Sequence, residues 1–194
     1  MKRIIVGMTG ATGVIYGVRL LEVLRDLHIE THLVMSDGAK KNILIETNLG
    51  VKYVEDLAYS VHPVSDLGAS ISSGSFKTDG MVIAPCTIKT LSGVANSYNE
   101  NLLIRAADVV LKERRTLILM VRETPLHKGH LELMRKVADL GGILLPPVPA
   151  FYHSPRTIED LIDHAIGKVL DLFDIDHSLF KRWEDSTDKR ELRD

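Results

Sequence analysis

One cysteine, Cys86, stands in 194 residues, so no internal disulfide framework can hold this fold. A basic excess is equally absent. With 24 Lys+Arg against 26 Asp+Glu the formal net charge is -2, which offers nothing to attract nucleic acid or an anionic membrane. No apolar run approaches the roughly 20 residues that span a bilayer. The opening MKRIIVGM lacks the longer apolar stretch and small-residue cleavage site of a signal peptide, so the expected compartment is the cytoplasm. What is present is 45% hydrophobic content and a mean hydropathy of +0.06, enough to bury about 70% of the unfolded surface in one core. Small-molecule chemistry in a single domain is the expectation.

Short continuous apolar runs at Ile4 to Met8, His32 to Met35, Met81 to Ala84, Leu117 to Val121 and Ile143 to Leu145 read as strands covered on both faces, hence a parallel sheet. Helical spacing fills the gaps, at Val14 to Leu27, Ala39 to Asn48, Leu91 to Ala95, Leu102 to Lys112 and Leu131 to Leu140. A last helix is expected from Ile158 to Phe173, before a charged tail, Glu184 to Asp194. The alternation predicts an α/β fold, Rossmann-like (flavodoxin-like), three layers α/β/α, as one domain over residues 1–178 with a tail over 179–194 at a subunit interface. In such folds ligands collect at the carboxyl ends of the strands.

The first strand runs into Gly7-Met8-Thr9-Gly10-Ala11-Thr12-Gly13, where small residues let backbone N–H groups approach an anion. A tight strand-to-helix turn would need the same glycines. The second ends at Ser36-Asp37, either a helix N-cap or a nucleotide contact. Ala84-Pro85-Cys86-Thr87-Ile88-Lys89-Thr90 brings two hydroxyls, a lysine and free helix N–H groups together as a second anion clamp. Upstream, Ser72-Ser73-Gly74-Ser75 is a hydroxyl-rich loop or a plain solvated connection. Arg105, Lys112, Arg114 and Arg115 crowd a short segment that also suits a solvated face. Val121-Arg122-Glu123-Thr124-Pro125 sets a cation beside a carboxylate at a strand tip and makes Glu123 the candidate proton carrier. His127 and His130 lack a third ligand, and no metal is expected. Phe151-Tyr152-His153-Ser154-Pro155 follows a rigid proline bend.

Together MTGATG, PCTIKTLSGVA, NLLIRAADVVLKERR, VRETP and PAFYHSP resemble the UbiX flavin prenyltransferases, long called phenylacrylic acid decarboxylases, over nearly the whole chain. The resemblance implies reduced flavin mononucleotide (FMN) and dimethylallyl phosphate as substrates. The prenyl group is joined to flavin N5 and then to C6, phosphate is released, and the prenylated FMN serves a UbiD-type decarboxylase. By position, Gly10, Ala11, Thr12, Ser36, Thr87, Ile88, Lys89, Thr90 and Arg122 would hold FMN. Tyr152 and Lys168, with Arg105 and Lys112, would bind dimethylallyl phosphate; Ser73 would sit beside the reacting carbon, Lys112 would also act in catalysis, and Glu46 and Glu123 would manage protons. Some relatives carry a tryptophan where Leu67 stands here, which leaves Trp183 as the sole tryptophan. The family implies a homododecamer with sites formed between subunits. Two rivals stay open: an FMN-dependent decarboxylase of the cysteine-decarboxylase type, and a non-catalytic flavin carrier.

Overall fold

The computed structural model describes residues 2–183. The chain forms two compact units, Met1–Pro146 and Pro147–Asp194, divided inside the proline run that starts at Pro146.

In the first unit, six strands lie parallel: β1 (Arg3–Met8), β2 (Glu30–Met35), β3 (Ser60–His62), β4 (Gly80–Cys86), β5 (Thr116–Val121) and β6 (Ile143–Leu144), in the spatial order β3-β2-β1-β4-β5-β6. Continuous apolar runs form these strands because both faces are covered: β4 is buried at every residue, and β1, β2 and β5 at all but the first. The helices are α1 (Val14–Asp26), α2 (Asp37–Glu46), α3 (Val51–Asp56), α4 (Ile88–Ala95), α5 (Leu102–Lys112) and α6 (Lys128–Asp139). Right-handed crossovers put the helices leading to β2 and β3 on one face and those leading to β5 and β6 on the other, giving the three layers expected. Fully buried leucines and isoleucines such as Leu20, Leu21, Leu33, Ile83 and Leu91 each contribute about 1.5–3 kcal/mol.

Most elements match the sequence pattern, with helix starts moved to their caps. Ser36 accepts the Ala39 N–H, so α2 begins at Asp37 rather than Ala39, and Thr87 does the same for α4, which begins three residues before Leu91. α6 starts at Lys128, behind His127, which is its N-cap rather than a helical residue. Two elements carry no apolar period and were not expected: α3 is under two turns long, and β3 is a three-residue edge strand of Ser-Val-His.

The second unit contains α7 (Ile158–Asp171), opened by a reciprocal capping box between Thr157 and Asp160. Phe180 packs onto it so closely that a Cβ on Gly167 would lie 2.4 Å from the ring. Phe180 therefore belongs with α7 in this unit, although the sequence placed it in a tail; the Glu184 to Asp194 stretch lies outside the described residues. Among the described residues no helix is long and apolar enough to cross a membrane.

The tightest helix–sheet contact is at Gly17 of α1, where an added Cβ would meet the Ala84 carbonyl at 2.3 Å and the Met8 side chain at 2.8 Å. Since the first obstacle is backbone, Gly17→Ala should push α1 off β4 and cost about 1–3 kcal/mol. A denaturant melt checks this; an unchanged midpoint would show that α1 can shift freely.

Candidate active site

Strand order reverses between β1 and β4, and the crevice beyond their carboxyl ends is where a ligand fits. Thr9 ties the two exits together. It is 3% exposed; its Oγ1 donates to the Pro85 carbonyl (2.8 Å) and accepts the Thr87 N–H (2.9 Å). The β5 exit joins through the Arg122 N–H to the Cys86 carbonyl (3.1 Å), and the β2 exit through the Ser36 N–H to the Met8 carbonyl (3.0 Å). Gly10 and Gly38 then pass so close that a Cβ on either would stand 3.0 Å from the other's Cα. Only glycine permits that approach.

These contacts gather Gly10, Ala11, Thr12, Ser36, Thr87 to Thr90, Arg122 and Glu123 along one edge of the sheet. The first turn of α4 offers the N–H groups of Ile88 and Lys89, while the Thr87 hydroxyl accepts from the Thr90 N–H (3.1 Å) and lies 3.0 Å from the Thr90 hydroxyl. The Lys89 side chain forms an exposed ion pair with Glu100 (3.2 Å). At α1 the corresponding donors are taken: Glu46 Oε2 accepts the N–H groups of Gly13 (2.7 Å) and Val14 (3.2 Å). A carboxylate thus fills the position where a helix start favours an anion. Asn42, one turn earlier on α2, donates to the carbonyls of Gly10 and Ala11, both at 3.1 Å. The glycine loop is braced from α2, with Gly10 and Thr12 left facing solvent.

Arg122 and Glu123 are exposed, and Glu123 accepts the Thr124 N–H (3.0 Å). Burial pushes the Tyr16 hydroxyl up, while nearby Arg122 pulls it the other way, which places α1 beside the β5 exit. Burial pushes the Cys86 thiol far up, so it stays protonated and behaves as a small core residue.

Ser73, Arg105 and Lys112 form a second group. The strip from Ser72 to Thr78 runs along α5 and is pinned by guanidinium groups. Arg105 Nε donates to the Ser72 carbonyl (3.2 Å), and Arg115 donates to the carbonyls of Gly74 (2.7 Å) and Phe76 (2.8 Å). Lys112 pairs with Glu113 at 2.5 Å directly over Gly74, and Ser73 Oγ lies 2.9 Å from Ser75 Oγ. Thr78 leads into the start of β4, whereas Thr87 follows its end. Seven residues of strand therefore put roughly 20 Å between Thr78 and Thr87. Within one chain, Gly74 and Lys112 sit towards the amino ends of the strands, away from the carboxyl-edge loops.

The third group lies in the second unit. Tyr152 Oη is 3.1 Å from His164 Nε2, and the Trp183 ring lies edge-on to Tyr152 at 5.6 Å. Lys168 pairs with Asp171 (3.3 Å). Burial raises the Asp171 carboxyl, but hydrogen bonds from Arg182, His177 and Lys168 outweigh it and hold it down at about 2.

The Flavoprotein family model matches residues 1–182. Flavin prenyltransferase UbiX of Thauera aromatica is 59% identical over 98% of this chain and 97% of its own length, and that of Neisseria meningitidis serogroup B is 50% identical over 97% and 100%. The chain belongs to the UbiX flavin prenyltransferase family. Among solved structures, AnUbiX (PadA1) in complex with FMN and dimethylallyl pyrophosphate superposes with a TM-score of 0.92 at 49% identity, covering 94% of this chain and 97% of that one. A dodecameric FMN-dependent UbiX-like decarboxylase from Escherichia coli gives 0.91 at 49% identity, covering 93% and 98%. An FMN-dependent cysteine decarboxylase of thioviridamide biosynthesis, 14% identical with a TM-score of 0.60, shares the fold alone.

Pattern reading within the UbiX family frame missed Asn42 and Tyr16, and gave Thr9 no role of its own. Thr9 lies inside the glycine-rich turn and could have been found as its one buried hydroxyl. Asn42 acts across 31 and 32 residues and leaves no local signal. Thr9→Val keeps the shape but leaves the Thr87 N–H without its acceptor, so it should cost about 1–3 kcal/mol and weaken FMN binding together. Denaturant unfolding and flavin titration on the same variant check this; lost stability with FMN affinity intact would separate the Thr9 tie from the flavin site.

Proposed function

We propose that this chain is a flavin prenyltransferase that takes reduced FMN and dimethylallyl phosphate and releases prenylated FMN and phosphate. The observation that carries the reading is the convergence of four strand exits at the switch point of a chain 59% identical to a flavin prenyltransferase. FMN fits this edge: the close Gly10–Gly38 contact leaves no side chain in its way, and the first turn of α4 together with Arg122 offers donors for a phosphate.

The residues divide by task. Gly10, Ala11, Thr12, Ser36, Thr87, Ile88, Lys89, Thr90 and Arg122 hold the flavin. Tyr152 and Lys168 hold the phosphate of the prenyl donor. Ser73, Arg105 and Lys112 lie about a strand length from Thr87, so they serve the site of a neighbouring copy in a homododecamer like that of the Escherichia coli structure. In the reaction the C–O bond of the donor breaks with its electron pair leaving on phosphate, and flavin N5 bonds to the freed carbon as its own N–H proton passes to the departing phosphate. Cations around the phosphate stabilise that departure without a metal. Closing the ring at C6 adds one proton to the prenyl double bond and removes one from C6, which needs a group that both gives and takes protons. Glu123, exposed at the β5 exit, is that group. Glu46, held by two N–H groups of the α1 start, is the second carboxylate and also supports the glycine loop. The enzyme works in the cytoplasm and supplies a UbiD-type decarboxylase.

Anaerobic incubation with reduced FMN and dimethylallyl phosphate, then mass analysis of the extracted flavin, should show a gain of one five-carbon unit. The pyrophosphate ester run in parallel tests the choice of leaving group, and flavin bound but unaltered with both would make the chain a carrier. Glu123→Gln should bind FMN normally and turn over about 100-fold or more slowly. Wild-type turnover in that variant would remove Glu123 from the proton path.

A further inference from the structure

His164 of α7 takes no part in the chemistry above, yet its ring nitrogen is within hydrogen-bond distance of the hydroxyl of the proposed phosphate-binding tyrosine. It is 9% exposed, packed between the Phe180 ring (4.7 Å) and the His153 ring, which stacks on it at 4.9 Å and 7°. Its Nε2 lies 3.1 Å from Tyr152 Oη. Lys168 follows one turn later, on the same face of the helix.

A phenol has one proton, and the direction of this hydrogen bond decides where that proton goes. With a bare Nε2, the tyrosine donates to histidine and shows only lone pairs to its other neighbours, which repel a phosphate. With a proton on Nε2, histidine donates, and the tyrosine O–H is left to donate to an anion. A phosphate bound by Tyr152 and Lys168, the latter paired with Asp171 in this structure (3.3 Å), would be served by the second arrangement. The groups facing the imidazole are Tyr152, His153, Lys168 and Asp171. Burial, then His153 and Lys168, push the histidine down, so at neutral pH the ring carries a single proton to be placed on one nitrogen or the other.

We infer that His164 is a positioning residue that donates from Nε2 to the Tyr152 oxygen and so turns the tyrosine proton towards the phosphate of the prenyl donor beside Lys168. The inference rests on the reading of Tyr152 as a phosphate ligand and names what orients it.

A double-mutant cycle on the whole protein, read as KM for dimethylallyl phosphate, kcat and FMN affinity, tests it. Tyr152→Phe should raise KM about 5- to 10-fold with FMN affinity unchanged. His164→Leu should raise KM by a similar factor, with little change in kcat, and the double variant should be no worse than Tyr152→Phe alone. His164→Gln, whose amide N–H can donate to the same oxygen, should return KM to within about twofold of wild type; should the leucine variant not fold, the glutamine variant alone and combined with Tyr152→Phe carries the test. Multiplying KM effects in the double variant, or a glutamine variant as poor as leucine, would overturn the inference. A silent His164→Leu beside an impaired Tyr152→Phe would overturn the histidine's role alone, whereas a silent Tyr152→Phe would overturn the tyrosine assignment and this inference with it.

Discussion

The reversal of strand order between β1 and β4 is the constraint on which the first unit's chemistry depends. On either side of that line the crossovers leave in opposite directions, so the two carboxyl ends open on a crevice between them. Such a gap would leave backbone groups without partners. Thr9 satisfies three of them, through its own N–H, its hydroxyl and the Thr87 N–H, and thereby fixes the spacing between the glycine loop and the start of α4. Buried hydrogen bonds of this kind contribute modestly when made and cost more when broken. Their value lies in holding two loops at one separation.

Charge is distributed to suit. At the α1 start a carboxylate from α2 occupies the donors, whereas at the α4 start Thr87 caps only the Thr90 N–H. On the far side of the sheet, Arg105 and Arg115 spend donors on carbonyls of the Ser72 to Phe76 strip, and Lys112 is neutralised by Glu113. Those cations shape a loop inside their own chain. To act on a phosphate, Lys112 has only a surface ion pair to give up, and such pairs are worth about 1 kcal/mol or less.

Apolar runs made the sheet legible, because strands covered on both faces must be apolar throughout; Ile4 to Met8 and Met81 to Ala84 differ from the observed strands only at their ends. β3 was illegible for the converse reason. As a polar edge strand it is held by pairing with β2 and by the His32–His62 contact at 2.9 Å, both tertiary. Glycines and hydroxyls marked the strand exits in sequence, but the brace from Asn42 and Glu46, some 30 residues away, did not register as periodicity or motif. The exposed pairing of Lys89 with Glu100, eleven residues on, likewise left no local signal. His164 lies inside the helix expected from Ile158 to Phe173, where nothing local marks it out.

Topology also explains why residues grouped by resemblance separate in the structure. A helix that returns from a carboxyl edge to start the next parallel strand must end at the amino edge, so Lys112, the last residue of α5, lies there by geometry. Thr87 and Arg122 follow strand ends and lie at the carboxyl edge by the same geometry. No side chain closes a gap of roughly 20 Å, since even an extended lysine reaches only about a third of it. If both groups serve one reaction, the amino edge of one chain must face the carboxyl edge of another. Such a contact can close on itself in a two-fold pair, each copy's amino edge on the other's carboxyl edge, or run head to tail around a ring. On the reading that both groups serve one reaction, assembly of copies is a requirement of the active site, set by the direction in which α5 runs.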